Sequence, residues 1–172
     1  MHRRARPSRF LRILRGAWLF LGLPEAGPLF PKKRRDKKPP TEAALTGAWG
    51  EKLAADRLRR AGYRILGRNV RFGPERELDL VARSPDPSTL VFVEVKTRAG
   101  EGLGRPFDAV DADKRRAMAR AAALYLRKLP RKPALVRFDV VEVVGHPSSP
   151  AAPVIRHIEN AFTLAPDDRL PL

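Results

Sequence analysis

Acidic residues interrupt two strongly apolar stretches of the sequence. The first stretch contains Glu77 and Asp79, and the second contains Glu94 followed by Lys96. Both stretches are rich in leucine and valine, which predicts strands, and successive side chains of a strand point to opposite faces of the sheet. Glu94 and Lys96 therefore share one face, and Glu77 and Asp79 share a face of their own strand. An acid on a central strand needs a partner, because burying an unpaired charge costs several kcal/mol.

Carboxylates and a lysine in this arrangement could hold a hard divalent cation. Mg²⁺ and Mn²⁺ prefer carboxylate, carbonyl and water oxygens, and Mg²⁺ uses only one or two protein carboxylates. Asp79 and Glu94 meet this requirement if their strands are neighbours, and Glu51 and Glu77 are candidates for a second ion. Lys96 lies about 7 Å along the strand from Glu94, within reach of a phosphate oxygen. The pattern predicts hydrolysis of phosphodiester bonds.

Other kinds of site are excluded by composition. The chain has no cysteine, which excludes disulfides, zinc–thiolate sites and thiol catalysis and suits the reducing cytoplasm. Its three histidines, at positions 2, 146 and 157, lack metal-ligand spacing. The glycines at 100, 102 and 104 lack the strand-to-helix setting of a phosphate-binding motif, so we expect no small-molecule cofactor.

Seven elements are predicted around these residues, in the order αβββαββ. The predicted ranges are a helix at 47–61, strands at 63–71, 77–83 and 89–97, a helix at 112–129, and strands at 137–144 and 154–162. Thr46 and Asp111 are the expected N-caps, and Gly62 is the expected left-handed residue after the first helix. A turn at 84–88 makes the second and third strands hairpin neighbours. This order predicts an α/β domain with a mixed sheet and helices packed on it.

Glu51 belongs to the first predicted helix. With Ala54, Ala55 and Leu58 it forms a stripe at helical spacing, which projects this acid from the face that packs on the sheet. The alternative is a solvated glutamate near the helix N-terminus, where a negative charge is also favourable. The residues alone leave both interpretations open.

Positive charge is concentrated at the start of the chain. Residues 1–40 hold 12 Lys and Arg against 2 acids, and five prolines occupy 24–40. We expect a poorly ordered basic extension at 1–40, a folded domain at 41–165 and a tail at 166–172. The spacing at 9–21 also fits a short amphipathic helix, which could contact an anionic membrane surface or nucleic acid.

Several short motifs resemble the YraN family of small proteins, over about residues 46–162. The matching motifs are Gly50-Glu51, Gly62-Tyr63, Asn69, Glu77-Leu78-Asp79-Leu80, Phe92-Val93-Glu94-Val95-Lys96-Thr97-Arg98, Lys114, Arg137-Phe138-Asp139-Val140-Val141 and Asn160-Ala161-Phe162. That family is similar to the restriction-endonuclease-like, or PD-(D/E)xK, superfamily and especially to Holliday-junction resolvases. The resemblance implies a restriction-endonuclease-like core and a magnesium-dependent nuclease centre acting on DNA, including branched DNA.

The resemblance also implies roles for individual residues. Glu51 would be the helix-borne acid, Asp79 the motif aspartate, Glu94 the second acid and Lys96 the motif lysine. Lys114 would be an auxiliary basic residue near phosphate. The family name carries no settled activity, and fold does not fix function.

Two other functions fit the same residues. A non-catalytic nucleic-acid-binding protein would keep the fold and use Arg98, Arg105, Lys114 and Arg115 together with the basic extension. A membrane-surface adaptor would use residues 9–21 as its anchor.

Structural interpretations also remain for several residues. The acids could form ion pairs within the hairpin, such as Glu94 with Lys96, and Arg137 with Asp139 is interpreted as a structural pair. Trp49 and Leu53 could cover a homodimer contact, receive the basic N-terminal extension or pack inside the monomer. Neither choice is fixed by the residues.

Overall fold

The computed structural model describes residues 39–74, 76–100 and 111–164. Within these described ranges, two helices and five strands follow one another in the predicted αβββαββ order. They are α1 (Glu42–Arg60), β1 (Arg64–Arg71), β2 (Glu77–Arg83), β3 (Thr89–Arg98), α2 (Ala112–Arg127), β4 (Leu135–Val144) and β5 (Val154–Ile158). The predicted amphipathic helix at 9–21, Arg105 and the tail at 166–172 lie outside the described residues.

The five strands form one mixed sheet in the sequential order β1-β2-β3-β4-β5. β1–β2, β2–β3 and β4–β5 are antiparallel, whereas β3 and β4 run parallel. A parallel pair needs a long crossover connection, and α2 lies in the chain between these two strands. The predicted α/β class is confirmed, and the arrangement fits a restriction-endonuclease-like core.

Helix α1 begins four residues before the predicted cap, so the assignment of Thr46 as N-cap is wrong. Thr41 caps the helix instead, because its Oγ1 accepts the Ala44 N–H at 3.2 Å. The prolines at 39 and 40 precede this cap, and the residues from Glu42 onward include good helix formers. The predicted left-handed residue after the helix is confirmed, since Gly62 has a φ of 85°.

Helix α2 begins at the predicted cap. The Asp111 side chain accepts the Lys114 N–H at 2.7 Å, which fixes the first turn and the start of the Lys114 side chain.

Neither α1 nor α2, the two helices in the described ranges, is long and apolar enough to cross a membrane.

Strand β5 ends at Ile158, four residues before the predicted end. Asn160 takes a left-handed φ of 50°, which stops the extended conformation. The chain remains in the core, because Ala161 donates its N–H to the Phe138 carbonyl at 2.8 Å and both Ala161 and Phe162 are buried. These buried apolar residues give the same sequence pattern as a strand, which explains why the predicted strand was too long.

Among the described residues, one helix packs on each face of the sheet. Ala54, Ala55 and Leu58 of α1 pack on a cluster that includes Val93 and Val141. Met118 and Tyr125 of α2 pack on the other face, against residues that include Phe92, Phe138 and Val140. Trp49 and Leu53 pack against the α1 cluster, which favours the monomer-packing interpretation of these two residues.

A buried polar network joins β4 to β5 on the α1 face. Asp139 has no exposed surface, and Arg137 donates to its two oxygens at 2.8 and 2.9 Å. His157 Nε2 lies 2.8 Å from Asp139 Oδ2, and the Asn160 N–H donates to Oδ1 at 2.9 Å. The prediction of a structural Arg137–Asp139 pair is confirmed, and its partners explain how this charge is tolerated inside the protein.

Replacing Asp139 with alanine should strongly destabilise the fold. The substitution removes the buried acceptor of Arg137 Nε, His157 Nε2 and the Asn160 N–H, which costs about 3–5 kcal/mol. Urea denaturation measures the free energy of unfolding. The control is Asp56→Asn, which breaks an exposed pair with Arg59 and should cost less than about 1 kcal/mol. Equal losses in the two variants would contradict a structural role for the buried network.

Candidate functional site

The candidate site lies where β2 and β3 separate. Their ladder pairs residues as far as Leu80 and Val93. One position further on, the Asp79 side chain takes the place of a backbone partner and accepts the Val95 N–H at 2.8 Å. This bond holds Asp79 beside the part of β3 that carries Glu94.

Glu94 is almost completely buried and is held between two lysines. Its exposed fraction is 2%. Lys96 Nζ lies 3.0 Å from Oε1, and Lys114 Nζ lies 2.9 Å from Oε2. Lys96 comes from the same strand, while Lys114 comes from the first turn of α2. The two ammonium groups compensate a charge that would otherwise be very costly on a central strand.

Asp79 remains difficult to ionise. Burial, together with the negative charges of Glu94 and Glu51, raises the pKa of Asp79 to about 7, although the Val95 N–H and Lys114 act in the opposite direction. Burial lowers the pKa of Lys114, but attraction to Glu94, Asp79 and Glu77 outweighs it, so the net shift is upward. The group of side chains therefore favours an additional positive charge, either a proton or a cation, near Asp79.

Glu51 reaches the same region from α1. Its Oε2 accepts a hydrogen bond from Asn69 Nδ2 at 2.6 Å. Asn69 lies in β1 between the residues that pair with Leu80 and Leu78, so it stands across from Asp79. Its φ of 50° is left-handed, a conformation that asparagine adopts more readily than most residues. Asn69 thus connects the helix-borne acid to the strand pair.

An open cleft of about 610 Å³ brings most of these residues together. Its walls are the first turns of α1, Asp79 of β2, the end of β3 and His146, which lies two residues after β4. The lining residues are Glu42, Ala43, Thr46, Gly47, Glu51, Asp79, Glu94, Val95, Lys96, Thr97 and His146. All four predicted catalytic residues, Glu51, Asp79, Glu94 and Lys96, line this cleft.

Other predicted site residues lie outside the cleft lining. Glu77 is paired with Arg71, whose Nε lies 2.8 Å from Oε1. Arg98 Nε lies 3.8 Å from an oxygen of Glu142. Arg115 is partly buried on α2, and Arg105 is outside the described residues. In the described ranges, no three His, Cys, Asp or Glu side chains are grouped as a ready metal site.

Sequence reasoning did not include Asn69 and His146 among the site residues. Asn69 carried a signal, since it is a polar residue inside a predicted strand and belongs to the motifs that support the family resemblance. No sequence signal indicated His146, because its place at the cleft depends on where the chain turns after β4. Its Nε2 lies 3.9 Å from Glu42 Oε1, and its Nδ1 accepts the Ser148 N–H at 3.3 Å.

A glycine allows α1 to approach β3 closely enough to form the cleft. A Cβ atom on Gly50 would collide with the Thr97 hydroxyl and would lie 3.1 Å from the Thr97 Cβ. The neighbouring Gly47 has no atom within 4 Å of the same position. Close contact at Gly50 therefore sets the distance between Glu51 and the strand that carries Glu94 and Lys96.

Comparisons with known proteins identify close relatives. The profile of the uncharacterised protein family UPF0102 matches residues 50–143. A UPF0102 protein of Symbiobacterium thermophilum is 50% identical over 116 residues, which cover 67% of this chain and 94% of the relative. One from Nocardia farcinica is 47% identical over 118 residues, covering 67% and 87%. One from Geobacter sulfurreducens is 46% identical over 121 residues, covering 70% and 91%.

Asp79→Asn should stabilise the protein at neutral and alkaline pH in buffer without divalent cations. The pKa of Asp79 is raised from 3.8 to about 7 in the folded state. Between these values the folded protein binds more protons than the unfolded chain, so this group's contribution to stability falls as pH rises and is constant above about pH 7. We expect the variant to gain about 1–3 kcal/mol at pH 8 and little at pH 4, measured by urea denaturation.

The control for this pH dependence is Asp86→Asn. Hydrogen bonds from Ser88 lower the pKa of Asp86, so this variant should show no gain at pH 8. An Asp79→Asn effect that is the same at pH 4 and pH 8 would contradict the electrostatic explanation.

Alanine at Gly50 should lower stability, whereas alanine at Gly47 should not. Gly50→Ala forces α1 away from Thr97 and should cost about 1–3 kcal/mol. Gly47→Ala, in the same helix with open space around it, should gain up to about 1 kcal/mol from helix propensity. Thermal denaturation of both variants tests the close approach, and a neutral Gly50→Ala would show that α1 is free to move.

Proposed function

The chain belongs to the uncharacterised protein family UPF0102, which is the YraN family, and from this membership and the cleft geometry we propose that it is a divalent-metal-dependent DNA nuclease. The proposed reaction is hydrolysis of a phosphodiester bond, with branched DNA as a candidate substrate. The observation that carries the proposal is buried Glu94, held by Lys96 and Lys114 beside an aspartate with a pKa near 7. The DNA substrate implies a cytoplasmic location.

Asp79 and Glu94 are the proposed ligands of Mg²⁺ or Mn²⁺. Two carboxylates match the number that Mg²⁺ commonly takes from a protein, and carboxylate oxygen is the donor that both ions prefer. The raised pKa of Asp79 supports the same assignment, since burial and the neighbouring negative charge of Glu94 disfavour a bare carboxylate there. When bound, such a cation supplies polarisation of the phosphate and activation of water.

The protein's side chains would stabilise the transition state and hold the proposed metal ligands in place. Lys96 points its ammonium into the cleft region beside Glu94 and would offset negative charge that develops on the phosphate in the transition state. Lys114 holds the second oxygen of Glu94 and would keep that carboxylate oriented. Glu51, fixed by Asn69, would complete the acidic wall. We leave Glu77 out of the proposed ligand set because it is paired with Arg71.

A second candidate function is DNA binding without cleavage. The observation that favours it is that each Glu94 oxygen already has a lysine within 3.0 Å, so its charge is compensated by the protein alone. A protein of this kind would bind DNA with strong salt dependence and without any requirement for Mg²⁺. Arg98, Arg115 and the basic N-terminal region would then supply part of the contact, although Arg98 is also near Glu142.

Cleavage assays on three site variants test the proposed nuclease. Asp79→Asn, Glu94→Gln and Lys96→Ala should each lower Mg²⁺-dependent cleavage at least about 100-fold, because each removes a charge from the reacting centre. The assay uses linear duplex DNA and a four-way junction, with circular dichroism to confirm that each variant is folded. Asp56→Asn, an acid on the exposed part of α1, should cleave like the wild type.

Two results would count against the nuclease. Cleavage that persists in all three site variants would assign the activity to other residues. DNA binding by the wild type with no cleavage of either substrate, in Mg²⁺ or Mn²⁺, would favour the second candidate.

A further inference from the structure

Helix α2 is unusual in the sign of its charges. Helix α2 contains five basic residues and one acidic residue, Asp113, and from Lys114 to Phe138 the sequence contains nine basic residues and no acidic residue. A surface helix ordinarily mixes both signs, because like charges three or four residues apart repel each other and opposite charges attract. Helix α1 is more balanced, with four basic and three acidic residues.

The exposed arginines of α2 lie along one side of the helix. We call Arg116, Arg120 and Arg127 the arginine stripe; all three are exposed, whereas Met118, Ala121, Ala122 and Tyr125 are buried against the sheet. Their spacing of four and seven residues keeps them within about 40° of one another around the helix axis. The stripe is about 16 Å long, and it faces away from the sheet.

Most of the stripe's positive charge is not used by the protein itself. Arg116 is paired with Asp113. Arg120 and Arg127 make no ion pair with any other residue in the described part of the chain. The next basic residues along the chain are used internally, since Lys128 lies over the Phe72 ring and Lys132 donates to the Leu126 carbonyl. The stripe therefore presents guanidinium groups to solvent at the cost of mutual repulsion.

We propose that the arginine stripe binds the phosphate backbone of a DNA duplex outside the cleft. This inference rests on the proposed function, and it adds a second contact surface on the opposite face of the sheet from α1. A row of about 16 Å matches about five nucleotides of one strand of a duplex. Guanidinium groups suit phosphate because they donate two parallel hydrogen bonds.

The position of α2 connects the stripe to the cleft. Lys114 in the first turn contacts Glu94, so the helix begins at the candidate site and carries the stripe away from it. A duplex that contacts the stripe therefore extends beyond the residues that line the cleft.

The composition of the helix favours DNA over an anionic membrane as the partner. A helix that lies on a membrane inserts large apolar side chains into the lipid. The apolar side of α2 is already buried in the core, and the exposed large apolar residues of the described ranges are Leu45, Leu135 and Val154, none of which belongs to this helix.

The test compares Arg120→Gln/Arg127→Gln with a matched control, Lys52→Gln/Arg60→Gln. The control removes the same charge from exposed positions of α1 and leaves the basic N-terminal region unchanged. Binding of the full-length variants to a 40-base-pair duplex is measured by fluorescence anisotropy in EDTA, over a range of salt concentrations. The stripe variant should lose about tenfold in affinity at 100 mM salt, and the slope of log K against log salt should fall by about 2.

A third variant tests the chemistry of the contact. Arg120→Lys/Arg127→Lys keeps the charge and should recover the salt slope, whereas affinity should be recovered only in part because lysine cannot donate two parallel hydrogen bonds. The control variant should change affinity by less than about twofold.

Three results would overturn the inference. Equal losses in the stripe and control variants would mean that net charge alone attracts DNA, and no loss in either would mean that the stripe is not used. Reduced binding to phosphatidylserine vesicles with unchanged DNA binding would assign the stripe to a membrane. EDTA prevents metal-dependent cleavage, so the binding assay does not depend on nuclease activity. If the stripe variant loses DNA affinity and the wild type never cleaves DNA, the proposed nuclease function is contradicted but DNA binding by the stripe is supported.

Discussion

The charge of one buried carboxylate determines much of this structure. Glu94 sits on a central strand with an exposed fraction of 2%, and its two oxygens require two cations. One of these is two residues away on the same strand, but the other must come from α2 on the far side of a long connection. Removing either partner would leave a charge in a place where water cannot solvate it. The orientation of α2 against the sheet is therefore linked to the state of the cleft.

Several residues around the cleft lower the stability of the folded protein. Asp79 leaves the β2–β3 ladder early, holds a backbone N–H and stays close to other acids, and its pKa is raised accordingly. Asn69 is left-handed inside a strand, and Gly50 places a residue of low helix propensity in the middle of α1. Strain and unfavourable charge collect at functional sites because the surrounding fold supports them. At the other end of α1, the Asp139 network contrasts with this, since every charge there is closely paired.

The order of elements and the residues of the cleft could be predicted because they depend on local patterns. Alternating and continuous apolar runs identified the strands, and carboxylates inside such runs identified Asp79 and Glu94. The end of β5 could not be found in this way, because Ala161 and Phe162 are buried without being extended. The start of α1 was misplaced because the sequence offers two threonines, Thr41 and Thr46, and in the structure Thr41 has the extended backbone and the hydrogen bond of the N-cap. Two further features could not be predicted, namely the ion pair of Glu77 with Arg71 and the position of His146 at the cleft. Both depend on other parts of the chain, which no local pattern specifies.

The parallel pairing of β3 with β4 has a consequence for how the protein folds. Glu94 stands beside Val140 in this pair. Two positions that are 46 residues apart in the sequence must therefore come together before the strands can join. Contacts between distant positions form slowly, because the entropy of closing the loop is lost before the contacts compensate for it. The intervening segment carries Lys114, so Glu94 gains its second lysine only when α2 has packed on the sheet. A chain that is still emerging from the ribosome, or is partly unfolded, would hold Glu94 without that partner and would have no assembled centre.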